Sequence, residues 1–439
     1  MSPNPASIET KLFIGGEFVP GKAGQTFSVI NPTTEEKVAD VHEALVEDVD
    51  AAVAAAQKAF PVWSRLSVTE RIAALLKLAD LIERDRDEIA RLEAVSMGFP
   101  VAEYLPCIVA SASGIRHDVG LAHDVHGETS LNTPGYLNFT LRQPFGLAAL
   151  AHEAGFPPGV INVLSGFGPT AGHALSSHMD VRKISFTGST RAGKLIMEAA
   201  SKSNMKRVCV EMGGKNPAVV FDDADLEPTI NSVVASLHFN SGQICVSNSR
   251  VYVQRGIFNE FLERFKQKFT DVQSGDPLDP KTHFGPQVDR AQFDSILSFV
   301  NEAKADGAEL VAGGERATEK GFFIKPTVFA RVPPSTRLLT TEIFGPVVAV
   351  QSFATEEEVI AECNDTNYGL HAAVFTRDIS RAHRMVQAFE AGMVTVNCSS
   401  ETGPYDLPFG GWKMSGTGRE NGKMGLESYY EIKSVTLKL

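Results

Sequence analysis

The sequence predicts an α/β protein built from two units of mainly parallel sheet. Three observations carry the prediction. From residue 159 onward, short apolar strands alternate with helical stretches, the order that lays crossover helices on a parallel sheet. The 439 residues exceed a single domain of about 100–200 residues and leave room for two or three. Hydrophobic residues at 43% and charged residues at 21% give the balance of an ordinary soluble globular enzyme.

Composition also excludes some function classes. A net charge of -12 argues against nucleic acid and against a polybasic membrane surface as partners. The start "MSPNPASIETKLFIGG" lacks the basic and apolar regions of a secretory signal. No apolar run approaches the roughly 18 residues of a membrane span, and the ending "SVTLKL" is neither a prenylation box nor a retention signal. The five cysteines (Cys107, Cys209, Cys245, Cys363, Cys398) are odd in number and scattered, with no CxxC pair. That pattern predicts free thiols in a reducing, cytoplasmic setting and no metal site.

Element by element, "LFIGGEFV" and "FSVINPTTEEKVADV" read as short strands turning at Gly15-Gly16 and Asn31-Pro32. Residues 47–98 carry apolar side chains at helical spacing, with Leu75, Leu78, Ala79 and Ile82 on one face; they predict two or three amphipathic helices closed by Gly98. Residues 101–123 predict a further helix, and "GYLNFTLRQPFG" (135–146) a strand. "AHEAGFPPGV" then looks like the last turn of a helix, with Gly155 placed to end it and Pro157-Pro158 blocking continuation. Only about four residues separate it from the preceding turn, too few for the helix itself.

The alternation follows. "GVINVLSG" (159–166) is strand-like, "TAGHALSSH" helical, "VRKISFTGS" a strand, "RAGKLIMEAAS" a helix and "KRVCVEMGG" a strand. A second series begins near Gly213-Gly214. It comprises "NPAVVF", a helix over 225–244, "SRVYVQ", helices over 256–273 and 290–306, "EIFGPVVAVQSF", a helix over 355–364, "HAAVFT" and a helix over 378–391. "SYYEIKSVTLKL" closes the chain as a strand.

Two residues stand out chemically. Cys245 lies in "FNSGQICVSNSR", after a helix-like run that breaks at Gly242. A lone cysteine is most often a buried structural thiol. Here Gly242 removes a side chain beside it, and a partly ionised thiol is the strongest common nucleophile near neutral pH. Glu211 ends the strand-like "VCVE" before Gly213-Gly214, at the strand end where α/β folds place ligands. Taken alone it also fits a solvated strand-end carboxylate. Together the pair reads as nucleophile and general base. "KISFTGSTRAGKLI" is a strand, a small-residue turn and a helix start where Ser189 or Thr190 can cap and free N–H groups favour phosphate.

With these in place, the chain resembles the aldehyde dehydrogenase superfamily over nearly its whole length. "INPTTEEKV", "FTGSTRAG", "EMGGKNP", "FNSGQIC", "EIFGPV" and "PFGGWKMSGTGRENGKMGLESYYEIKSV" occur in the family order, with the family's 34-residue step from Glu211 to Cys245. The resemblance implies that Cys245 attacks an aldehyde to form a thiohemiacetal, that NAD or NADP takes a hydride, and that Glu211 activates the water that hydrolyses the thioester. It implies cofactor contacts at Thr187, Gly188, Ser189, Gly193 and Met212, with Glu342, Phe344 and Gln292 at the nicotinamide ribose and ring. Asn397 falls near the substrate end. The implied fold is aldehyde dehydrogenase-like. A Rossmann-type cofactor domain spans 1–125 and 145–212, a catalytic domain 213–424, and oligomerisation strands 126–144 and 425–439. The implied assembly is a homo-oligomer, dimer or tetramer, or a hetero-oligomer with a full-length homologue.

The chain departs from the family after Gly146. It jumps to about His152, omitting roughly 50 residues, somewhat more than one βαβ-scale unit. The cofactor domain is therefore expected to be incomplete, interrupted at 147–152. Lost with that stretch are a Pro-Trp-Asn-Phe-Pro-like loop, whose asparagine supplies half of the family's oxyanion hole, and a Lys-Pro-x-Glu-like motif that binds the adenosine ribose. A misread exon boundary would leave the same join. The resemblance so read implies an oxidising enzyme impaired by the deletion. The alternatives are an inactive relative acting through oligomer contacts and a cofactor-free Cys245 esterase.

Overall fold

The computed structural model describes residues 8–130, 132–144, 152–399 and 406–439. The join at 145–151 lies outside the described residues.

The largest sheet has seven strands in the spatial order Glu309–Ala312, Thr327–Ala330, Val347–Phe353, Arg250–Gln254, Pro217–Val220, His371–Phe375 and Met393–Val396. All neighbouring pairs are parallel except the first. Side chains alternate across it, as strand geometry requires. Ala218, Val220, Val251, Val253, Val348 and Val350 pack on one face against the helices Leu226–His238 and Phe258–Thr270, whose Val233, Leu237, Phe261, Phe265 and Phe269 point inward. Val219, Tyr252 and Phe353 serve the other face with Val359, Met385 and Phe389 of the segment 356–389. Coverage on both faces explains why "PAVV" and "TVFA" are wholly buried instead of alternating.

A second, smaller sheet has the order Gly416–Thr417, Arg207–Glu211, Lys183–Thr187. Lys183–Thr187 runs parallel to Arg207–Glu211, which leaves Glu211 at the C-terminal end of its strand as expected. Among the described residues no strand pairs the outer edge of Lys183–Thr187. A third sheet joins Tyr430–Lys438 antiparallel to Tyr136–Pro144 along nine paired positions. The N-terminal strands pair as two antiparallel hairpins, and the helices Val46–Arg65, Val68–Arg84, Arg86–Met97 and Val101–Leu121 follow. The third of these ends at Gly98, as predicted.

Three expectations need correction, and three strands were not anticipated. "GVINVLSG" forms no strand; only Val163 bridges, to Phe13. A strand exists by its ladder, and among the described residues this segment has no neighbour to pair with along its length. The helix expected over 225–244 stops at His238 and passes into a short 3₁₀ turn, Phe239–Gly242, because Asn240 and Ser241 adopt left-handed backbone. "EIFGPVVAVQSF" is strand only from Val347, since Phe344 has φ 58 and Pro346 has no N–H to donate. Strands Glu309–Ala312, Thr327–Ala330 and Met393–Val396 were not predicted; four residues are too short a window for periodicity to register.

The densest packing lies under the seven-stranded sheet. Phe265 is fully buried and stacks on Phe261 and Phe269, with ring centroids 5.5 and 5.4 Å away. Phe265→Ala is expected to destabilise the chain by about 3–5 kcal/mol, read as a lowered urea midpoint at unchanged slope.

Candidate active site

The short segment from Glu211 to Asn216 leaves the small sheet and enters the large one, and the candidate site forms around it. Its backbone is tied at every step. Gly188 N–H donates to the Glu211 carbonyl (3.0 Å), Met212 N–H to the Ser415 carbonyl (2.8 Å), and Ser415 Oγ to the Gly213 carbonyl (2.7 Å). Gly214 N–H donates to Glu342 Oε1 (3.0 Å). A Cβ on Gly213 would fall on the Glu342 carboxylate, so a larger residue there would displace that side chain from the Gly214 N–H.

Glu211 is 4% exposed, and neither carboxylate oxygen has a well-formed hydrogen bond. Burial raises its pKa to about 8; Arg419 and the Gly411 N–H hold it down while Glu420 pushes it up. Lys215, fully buried two residues past Gly213, is shifted the other way, to about 7, by burial and the neighbouring Arg250, with Glu342 opposing.

Cys245 follows the 3₁₀ turn. Ser241 Oγ donates to the Gly285 carbonyl (2.8 Å), and Val288 N–H donates to Gln243 Oε1 (2.9 Å). Gly242 has φ 77, and a Cβ on it would strike the Gly345 carbonyl, so the loop seats directly on the Glu342–Pro346 segment. The Cys245 thiol is pushed up to about 11, mainly by burial and then by the Glu342 charge. The N–H groups of Cys245 and Val246 pull it down, and Glu211 adds a further upward push. The two groups singled out in the sequence therefore feel each other.

The other predicted residues divide into two groups. Thr187 ends its strand, Gly188 follows, and Ser189 caps the 13-residue helix Thr190–Lys202, accepting from Ala192 N–H (3.3 Å). Thr187, Gly188 and Ser189 are exposed, whereas Gly193 is buried against the Met212 side chain. Across the Glu211–Asn216 segment lie Glu342 and the partly exposed Phe344. Gln292 Nε2 donates to the carbonyls of Ile343 and Phe344 (both 2.9 Å), so its amide shapes this loop. Asn397 spends its amide on the Thr376 backbone, accepting at 3.0 Å and donating at 3.1 Å.

Four residues near the site were missed: Ser415, Arg419, Glu420 and Asn216. The first three lie in "KMSGTGREN", a stretch whose spacing suggests no chemistry by itself. Glu420 accepts from Ser185 Oγ (2.5 Å) and Tyr429 OH (3.4 Å) beside the buried Cys209. Among the described residues no group of three or more His, Cys, Asp or Glu side chains could hold a metal, and no helix is long and apolar enough to cross a membrane.

Comparison with known proteins agrees with this arrangement. The sequence pattern of the aldehyde dehydrogenase family matches residues 18–150 and 147–435, two segments that meet at the join after Gly146. Aldehyde dehydrogenase 1A1 of Gallus gallus is 42% identical over 478 aligned positions, covering 98% of this chain and 94% of the relative. Retinal dehydrogenase 2 of Homo sapiens is 41% identical over 488 positions, covering 100% and 93%. Both alignments are longer than the 439 residues available, so these relatives carry residues with no counterpart here. The NAD+ complex of a Bacillus cereus aldehyde dehydrogenase superposes with TM-score 0.97 at 37% identity, covering 100% of this chain and 99% of that one. A P. syringae indole-3-acetaldehyde dehydrogenase in complex with NAD+ and IAA gives TM-score 0.96 at 36% identity, covering 99% and 97%. The fold, the order of the motifs and these similarities lead to one conclusion: the chain belongs to the aldehyde dehydrogenase family of oxidoreductases.

Proposed function

We propose that the chain oxidises an aldehyde to a carboxylic acid with NAD or NADP, through Cys245 and Glu211, at a rate reduced by the missing segment. The observation that carries this reading is the packing of the buried Glu211–Asn216 segment between Glu342, which accepts from Gly214 N–H, and the Cys245 carbonyl oxygen, 2.9 Å from where a Cβ on Gly214 would sit. Residues 1–125 and 145–212 form the cofactor-binding part, 213–424 the catalytic part, and 126–144 with 425–439 the oligomerisation strands of a cytoplasmic protein.

The residues present fit one end of a dinucleotide. The exposed turn Thr187–Ser189 at a capped helix start suits its phosphates, and Gly193 keeps the first helical turn tight on Met212. Glu342, Phe344 and Gln292 suit the nicotinamide ribose and ring. The adenosine end lacks equivalent support, because Lys183–Thr187 has no outer neighbour among the described residues. When bound, the cofactor accepts the hydride released from the substrate carbon.

The chain's own residues do the rest. Cys245 Sγ bonds to the carbonyl carbon as its proton passes to the Glu211 carboxylate, and the oxyanion that forms rests on the Cys245 N–H. Loss of hydride from that carbon restores the carbonyl and leaves a thioester on Cys245. Glu211 releases the thiol's proton to solvent and then takes one from water; the water oxygen bonds to the acyl carbon, the C–S bond breaks to free the carboxylic acid, and the Cys245 thiolate takes the proton back from Glu211. The family's side-chain oxyanion donor is absent, a loss typically worth about 2.7–4 kcal/mol, or 10²–10³ in rate.

Absorbance of NADH or NADPH formed from a panel of aldehydes tests the reading. We expect slow turnover that Cys245→Ala abolishes. If no reduced cofactor forms while Cys245-dependent ester hydrolysis persists, the cofactor-free esterase takes its place. If neither occurs and a longer homologue co-purifies, the chain acts through oligomer contacts.

The pH dependence has a defined sign. Glu211 works unprotonated and its pKa is raised to about 8, so thioester hydrolysis rises with pH through that value instead of being complete at neutrality. Glu211→Gln should flatten the rise and lower hydrolysis by about 10²–10⁴, measured as acyl-enzyme decay in single-turnover experiments.

A further inference from the structure

Asn216 belongs to none of the roles assigned above, yet it is buried at the meeting point of the nucleophile loop and the large sheet. Its Nδ2 donates to the carbonyls of Cys245 (2.8 Å) and Ser247 (2.9 Å), and its Oδ1 accepts from His371 N–H (3.0 Å). One amide thus spends both hydrogens on the nucleophile loop and its oxygen on the strand His371–Phe375. The approach is close enough that a Cβ on Gly214 would lie 2.9 Å from the Cys245 carbonyl oxygen.

The upstream half of the loop has other supports. Ser241 and Gln243 fasten it to residues 285–288, but those bonds end before the cysteine. The grip on the Cys245 carbonyl itself comes from Asn216. A peptide unit is planar and trans, so the Cys245 carbonyl and the Val246 N–H point in opposite directions. Pulling the carbonyl onto Asn216 turns the Val246 N–H back toward the thiol, where it favours the thiolate.

We propose that Asn216 is a positioning residue for the nucleophile: by holding the Cys245 carbonyl it fixes the peptide plane whose N–H supports the Cys245 sulfur. The proposal rests on the reading of Cys245 as the reactive thiol. It needs no aldehyde and no cofactor to be examined.

The test is the pH profile of iodoacetamide alkylation at Cys245 in the full-length chain, followed by peptide-resolved mass spectrometry, with Cys107 as the internal reference. Asn216→Leu keeps the size and removes every hydrogen bond; the Cys245 midpoint should move up by about one unit while Cys107 stays in place. Asn216→Ser retains one donor and should move it less. A merely structural role would lower the melting temperature and leave the Cys245 midpoint unchanged, and that result in either folded variant overturns the proposal. Should Asn216→Leu fail to fold, Asn216→Ser decides. Absence of aldehyde oxidation in the parent chain would sink the functional reading and leave the alkylation result standing.

Discussion

The hydrogen bond from Gly214 N–H to Glu342 is the constraint on which the site depends. The segment from Met212 to Asn216 belongs to no strand, yet it runs buried between two sheets. Backbone polar groups in such a place must find partners one by one. They find Ser415 on one side and Glu342 on the other, with Asn216 reaching on to the Cys245 loop. Each tie fixes a different group at the same time. The route of five residues thereby sets the separation of Glu211, Cys245 and Glu342.

Burial then determines the chemistry of those groups. A carboxyl near 8 and a thiol near 11 are both largely protonated at neutral pH, so neither acts as a permanent charge. Water exclusion raises both values and strengthens any hydrogen bond made there. Arg419 is the main counterweight on Glu211, and Lys215 supplies one on Glu342.

Much of this arrangement was legible in the sequence, and its gaps have physical causes. Cys245 beside Gly242, and Glu211 before Gly213-Gly214, could be picked out because small residues next to reactive ones leave room for chemistry. The helices between residues 47 and 98 were readable from their apolar spacing. Asn216 was not, because an amide that binds main-chain carbonyls leaves no pattern in residue type; any polar residue after a lysine reads alike. Ser415 escaped for the same reason, its 202-residue separation from Gly213 being invisible to local reasoning. "GVINVLSG" has ideal strand composition and still forms no strand, because pairing depends on a neighbour that composition cannot supply.

The uneven support of the two sheets has a further consequence, in the order in which the molecule opens. The seven-stranded sheet is sealed by helices on both faces, and its strands Pro217–Val220 and His371–Phe375 are buried end to end. Lys183–Thr187 is half-exposed, with ladder bonds on one side only among the described residues. Local opening free energy follows such differences in burial and pairing. The amides of this edge strand therefore exchange with solvent long before those of Val251 or Val348, and the Lys183–Thr187 side can fray and re-form while the scaffold around Cys245 stays closed.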